Sequence, residues 1–150
     1  MTDLKIRRAA EDDLPAIVAM LADDQLGSVR ESPDDMTPYR SALARIEADP
    51  HQYLMVAERD GRAVGTLQLT LIPGISRRGS TRTIIEGVRV HADERGTGLG
   101  TDLLQWAIEK SRELGAGLVQ LTSDATRTDA RRFYERLGFT ASHVGFKLPL

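Results

Sequence analysis

Between Arg95 and Thr101 the chain reads Arg-Gly-Thr-Gly-Leu-Gly-Thr. Glycines at 96, 98 and 100 allow a backbone to turn without Cβ clashes and to approach a ligand closely. Amide N–H groups in such a loop, joined by the free ones in the first turn of a following helix, converge on one point and favour an anion there. A phosphate-bearing ligand is the expected occupant. The spacing is not the dinucleotide fingerprint Gly-x-Gly-x-x-Gly, and no Gly-Lys-Ser/Thr follows to make a Walker loop. Taken alone, the loop fits an ordinary flexible connection as well.

Other chemistry is narrowed by what the chain lacks. It has no cysteine, which excludes disulfides, Cys-ligated metal and any step that parks an acyl group on a protein thiol. His51, His91 and His143 show no metal-ligand spacing, so no metal is expected. His143 is a candidate for lining a ligand pocket, although a lone strand histidine is more often structural. Neither a Ser-His-Asp arrangement nor a carboxylate pair can be asserted from spacing.

The elements around the loop follow from hydrophobic periodicity. Leu4 to Ala9 alternates apolar and basic residues and predicts a strand. Asp12 or Asp13 is placed to cap a helix with Pro15 near its start and an apolar stripe of Leu14, Ile17, Val18 and Leu21. Asp23 to Thr37 reads as a mobile loop. A second helix is expected over Pro38 to Ala48, ended by Asp49-Pro50. Tyr53 to Ala57 and Ala63 to Ile72 read as antiparallel strands joined at Asp60-Gly61, and Pro73 to Ser80, with its Arg77-Arg78 pair, as a solvated loop. The apolar, β-branched run Ile84, Ile85, Val88, Val90 is the strand that feeds the glycine loop. Its isolated Gly87 suggests a bulge or a close approach. Leu99 to Leu114 then recurs at helical spacing up to Gly115, with Trp106 as packing, and Leu118 to Leu121 is a second buried strand. A parallel βαβ crossover follows. Thr126 to Leu137 is read as the fourth helix, and Phe139 to Leu150 as a final strand or hairpin. No linker, repeat or low-complexity tract appears, so residues 1–150 are read as a single α+β domain around a mixed sheet.

Two motifs together are more specific than the loop. Arg95-x-x-Gly98-x-Gly100 after Val88-Arg89-Val90 resembles the pyrophosphate-binding motif of the GNAT superfamily of N-acetyltransferases. The stretch Ala130 to Phe139 (ARRFYERLGF) is similar to that superfamily's second signature, a Tyr-bearing helix ending in Gly-Phe. The resemblance implies a mostly antiparallel sheet with a central, splayed parallel strand pair, flanked by about four helices. It implies an acetyl-CoA-dependent N-acetyltransferase in which Val88, Arg89 and Val90 offer backbone groups to the pantetheine arm and Arg95, Gly96, Thr97, Gly98, Leu99, Gly100 and Thr101 wrap the pyrophosphate. A backbone N–H near Val88 would polarise the thioester carbonyl. Many members carry an asparagine three residues before the helix alanine; here that position is Arg127, whose guanidinium could reach a phosphate or remain surface charge.

Acetylating an amine needs a base, because an alkyl ammonium with a pKa of about 10.4 leaves on the order of one molecule in a thousand unprotonated near neutral pH. Glu86 resembles the glutamate that several GNAT enzymes use as a general base, the alternative being a strand residue facing solvent or an arginine. Tyr134 occupies the signature's tyrosine position and would protonate the departing thiolate; a phenol with a pKa of about 10 keeps its proton at neutral pH. Its alternative is a core aromatic. Acceptor contacts are expected from residues 24–37, 73–80 and the C-terminal strands.

Composition sets the remaining bounds. One domain of 150 residues can bury a substantial core. With 20 basic and 22 acidic residues, net charge −2, there is no global field to recruit nucleic acid or membrane. The N-terminus lacks the apolar core of a signal peptide and no run reaches membrane-spanning length, so a cytoplasmic protein is expected. The partner is expected to be a small-molecule or peptide amine, and superfamily resemblance suggests a homodimer. Two other classes stay open. A non-catalytic acyl-CoA-binding module would keep the loop without needing Glu86 or Tyr134. A nucleotide-binding Rossmann unit would normally open the chain with its strand and loop, which here arrive after residue 80.

Overall fold

The computed structural model describes residues 3–150. Two compact units divide the chain, the first running to Gln120 and the second from Leu121 to Leu150.

Strands β1 (Leu4–Arg8), β2 (Gln52–Arg59), β3 (Arg62–Ile72), β4 (Arg82–Val90) and β5 (Leu118–Leu121) lie in that order in one sheet, which belongs to the first unit up to Gln120. Pairings β1–β2, β2–β3 and β3–β4 are antiparallel. The β4–β5 pair is parallel and joined through a helix, as the crossover pattern predicts. Helices α1 (Leu14–Ala22), α2 (Gly27–Arg30), α3 (Thr37–Ala48), α4 (Ser76–Gly79) and α5 (Leu99–Glu113) connect the strands. The short turns α2 and α4 fall within segments that composition marks as loops. Asp24 accounts for the first of them, since its carboxylate accepts the Gly27 N–H and supplies a local cap.

Strand alternation sorts the sheet into two faces. Gly65, Leu67, Leu69, Thr83 and Ile85 face α5, where Leu99, Leu103, Leu104 and Ala107 are buried. Within that layer Thr83 Oγ1 and Ser111 Oγ lie 2.7 Å apart, and Ser111 also donates to the Ala107 carbonyl. Both buried hydroxyls are therefore satisfied. The opposite face carries Leu54, Thr66, Gln68 and Glu86 and is covered by α1. Pro15 stands in the first turn of α1 as expected, but Asp13 does not cap it. Its carboxylate instead accepts from Ala10 N–H and from both terminal nitrogens of Arg7, whose Nε donates to Glu58. The hydrogen bonds from Arg7 hold the Asp13 carboxyl below the usual carboxylate range, against the opposing effect of its burial.

The second unit holds α6 (Thr128–Arg136), which ends at Gly138. Beyond it the expected strand or hairpin over Phe139–Leu150 is not formed. Val144, Phe146, Leu148 and Leu150 keep the alternation of a strand, yet all four are exposed. Alternation encodes which side of a strand is apolar; a strand also needs a neighbouring backbone to bond, and no ladder reaches this segment.

Candidate active site

Strand β4 is irregular where it matters. Thr66 and Gln68 of β3 are opposite Arg89 and Glu86 of β4, so two steps on one strand match three on the other. The extra residue is a β-bulge, and Gly87 sits in it with φ +62, a conformation an L side chain resists. Because of the bulge, Glu86 and Arg89 leave the sheet on the same face despite their odd spacing. Arg89 is held by Asp24, with Nη2 to Oδ2 at 3.7 Å, and donates to its neighbour's carbonyl, Val88 O. Glu86 is exposed and has no hydrogen bond or ion pair among the described residues.

Beside Glu86 is a cavity of about 140 Å³ lined by Ile17 and Leu21 of α1, Leu54 of β2, Thr66 and Gln68 of β3, and Glu86 and Gly87 of β4. None of these comes from residues 24–37 or 73–80, where acceptor contacts were expected. Sequence reasoning missed Thr66 and Gln68. The signal was present: Thr66, Gln68 and Thr70 place polar groups at every second position of an otherwise apolar strand.

Beyond Val90, the chain makes a single turn over Ala92–Glu94 and then enters the glycine loop. Gly96 and Gly98 have φ +80 and +88, with open space where a Cβ would stand. The first helical bond of α5 runs from Asp102 N–H to Gly98 O. Hence the N–H groups of Gly96, Gly98, Leu99, Gly100 and Thr101 donate to no oxygen among the described residues. Undonated amides beside a helix start suit a phosphate or diphosphate. The Leu99 side chain is buried and packs near Gly65, so it does not line the loop's outer surface. Thr97 Oγ1 donates to Glu94 O, and Arg95 Nη2 lies 3.3 Å from Asp23 Oδ2. A larger hollow of about 410 Å³ is bounded by Ala19, Met20, Ala22, Asp23, Pro33 and His91.

Two expected site residues belong to the second unit. Tyr134 is half-buried in an aromatic group with Phe133 (ring centroids 5.3 Å apart) and Phe139 (6.1 Å). Arg127 precedes α6 and accepts the Arg131 N–H through its carbonyl. No His, Asp or Glu group suited to holding a metal occurs among the described residues.

The profile described as the acetyltransferase (GNAT) family matches residues 14–139, which span the strand, the glycine loop and the Tyr134 helix. This chain belongs to the GNAT family. It is therefore an acyltransferase. It is similar to aminoalkylphosphonate N-acetyltransferase from Salmonella typhimurium, 30% identical, with 97% of this chain and 91% of that protein covered. It also resembles glucosamine 6-phosphate N-acetyltransferase from Trypanosoma brucei brucei, 31% identical over 100% and 98% of the two chains. Among solved structures, a transcriptional regulator from Bacillus halodurans C-125 superposes with a TM-score of 0.95 at 46% identity, covering 99% of this GNAT chain and all of that one.

Proposed function

We propose that this acetyltransferase moves the acetyl group of acetyl-CoA directly to a primary amine, with residues 1–150 acting as one catalytic domain. The observation that carries the reading is the set of undonated amides at Gly96, Gly98, Leu99, Gly100 and Thr101, one turn beyond the strand that bears Glu86. Coenzyme A would supply an activated acetyl thioester. The Arg95–Thr101 backbone would hold its diphosphate, with Arg127 a further candidate for phosphate, and Val88 to Val90 would pair with its pantetheine arm. The bulge at Gly87 supports this, because it takes nearby backbone groups out of the regular ladder.

Glu86 faces the cavity without an internal partner, so its carboxylate is available to take a proton from the incoming ammonium. Tyr134 would give its phenolic proton to the departing thiolate. With no cysteine in the chain, the amine attacks the thioester while both substrates are bound. The named substrates of the Salmonella and Trypanosoma relatives carry an amine together with a phosphonate or phosphate, which supports a small amine as acceptor. A cytoplasmic homodimer completes the reading; no helix among the described residues is long and apolar enough to cross a membrane.

The test has two steps. Acetyl-CoA should raise the melting temperature by the amount mass action predicts, and ATP and NAD should not. Thiol release should then follow addition of an amine from a panel of aminoalkylphosphonates, glucosamine 6-phosphate, polyamines, aminoglycosides and amino acids. Binding of acetyl-CoA without turnover of any amine would favour a non-catalytic module.

A further inference from the structure

The cavity beside Glu86 holds a second polar group whose direction is set from outside it. Gln68 and Glu86 are cross-strand partners, so their side chains leave the same face of the sheet with Cβ atoms about 5 Å apart. Gln68 Nε2 donates to Gln52 Oε1 at 2.8 Å, and Thr70 Oγ1 donates to the same oxygen at 2.8 Å. Gln52 in turn points its Nε2 at Asp49 Oδ2, 3.4 Å away. Asp49 is fixed on its other oxygen by the His51 N–H at 2.9 Å.

An ionised carboxylate only accepts hydrogen bonds. Asp49 therefore forces the amide nitrogen of Gln52 towards itself and the amide oxygen towards β3. That oxygen draws in the nitrogen of Gln68, and the oxygen of Gln68 is left with no hydrogen bond among the described residues. The polarity of one amide is thus set through two others by a carboxylate at the turn between α3 and β2. The lining then offers two unsatisfied acceptors, the Glu86 carboxylate and Gln68 Oε1, against the aliphatic side chains of Ile17, Leu21 and Leu54.

We propose that Gln68 Oε1 is a second hydrogen-bond acceptor for the substrate nitrogen, and that Gln52 and Asp49 are the positioning residues that keep it turned that way. The inference rests on the acetyl-transfer reading in taking the bound amine to be the acetyl acceptor. Two acceptors side by side suit an ammonium, which has three N–H donors and spends two of them here. The aliphatic walls and the volume of about 140 Å³ suit a primary amine on a slim alkyl carbon. An alcohol, with one donor and no charge, is a poor match.

The experiment compares Gln68→Leu, Gln68→Glu and Gln52→Leu with the unaltered protein. Gln68→Leu should raise KM for the amine about tenfold, the loss of one hydrogen bond to a charged donor. KM for acetyl-CoA and kcat should stay where they are, and the melting temperature should fall by about 2–4 °C at most, the loss of the one bond to Gln52. Gln68→Glu keeps an acceptor but has no N–H to donate to Gln52 Oε1, so it should restore the amine KM only in part. Gln52→Leu should raise it by a smaller factor, because the Gln68 amide is then free to turn. In parallel, titration with n-butylammonium followed by NMR should saturate the signals of Gln68 and Glu86 in the unaltered protein. In Gln68→Leu the Glu86 signal should need about ten times as much n-butylammonium, and 1-butanol should fail in both. An amine KM unchanged in a folded Gln68→Leu protein overturns the proposal while leaving acetyl transfer intact. So does n-butylammonium that leaves those two signals unmoved. If n-butylammonium saturates the site but no amine is turned over, the acceptor pair stands and the acetyl-transfer reading fails.

Discussion

Replacing Gly87 by alanine isolates the bulge in β4. Position 87 has φ +62, and holding an L side chain in that region costs about 1–2 kcal/mol. Contact adds little, because the nearest atom to an added Cβ is Leu21 Cδ2 at 3.9 Å. The strand has one escape: it could straighten and lose the extra residue. That would slip Val88, Arg89 and Val90 by one place and exchange their faces. Arg89 would then leave Asp24, and the bonds that anchor the far side of the bulge, including His91 N–H to Val64 O at 2.8 Å, would break. Strain held in place is the cheaper outcome. Melting should therefore fall by about 2–8 °C for a chain of this size, while kcat/KM falls at least about tenfold as the backbone near the proposed thioester site shifts. Gly61→Ala is the control. It has φ +76 and open space around it at a hairpin tip, so it should lose similar stability and no activity. Thermal melts and thiol release measure both quantities. A Gly87→Ala protein that melts and turns over like the parent would refute the account of β4.

Four other outcomes are expected. Glu86→Gln should lower kcat/KM by about 10²–10³, within the range for a general base, and leave the melt unchanged because the carboxylate has no internal partner; a loss under threefold would remove its role. Tyr134→Phe should lower kcat by about ten- to a hundredfold with little effect on either KM, read by steady-state thiol release. Asp23→Ala releases Arg95 from an exposed ion pair, and acetyl-CoA should bind a few times more tightly at low salt, by calorimetry, with the difference gone at about 0.5 M salt. The folded-state pKa of Asp13 is depressed by Arg7, so its contribution is fully present above the unfolded value of about 3.9 and is lost as pH falls through the lower folded value. Asp13→Asn should accordingly cost about 1.5–3 kcal/mol at neutral pH, and its melting curve should merge with that of the parent in strong acid.

The parts legible in the sequence were those written as local pattern. The apolar stripe of α5, the turn at Asp60-Gly61 and the glycine loop each declare themselves within a dozen residues, and the structure forms each of them. Gly87 announced its bulge by standing alone in a β-branched run. What stayed hidden depends on partners distant along the chain. Asp13 looked like a helix cap until Arg7 and Glu58 claimed its neighbourhood. Asp23 and Asp24 looked like loop residues, yet they are paired with Arg95 and Arg89, more than sixty positions away. Gln68 looked like one polar residue among several; only the register against β2 and β4 sets it between Gln52 and Glu86. Residues 139–150 fail the other way, since a periodic pattern there has no ladder to join.

Leu99 follows directly on Gly98 of the glycine loop, and its side chain is sealed against Gly65 and the interior of the sheet. The stiffness of the loop proposed to hold the diphosphate is thus borrowed from the packing beneath it. Affinity for the diphosphate should tolerate drift across the surface of the loop and respond to changes in methyl-group packing one layer down, where no ligand ever reaches.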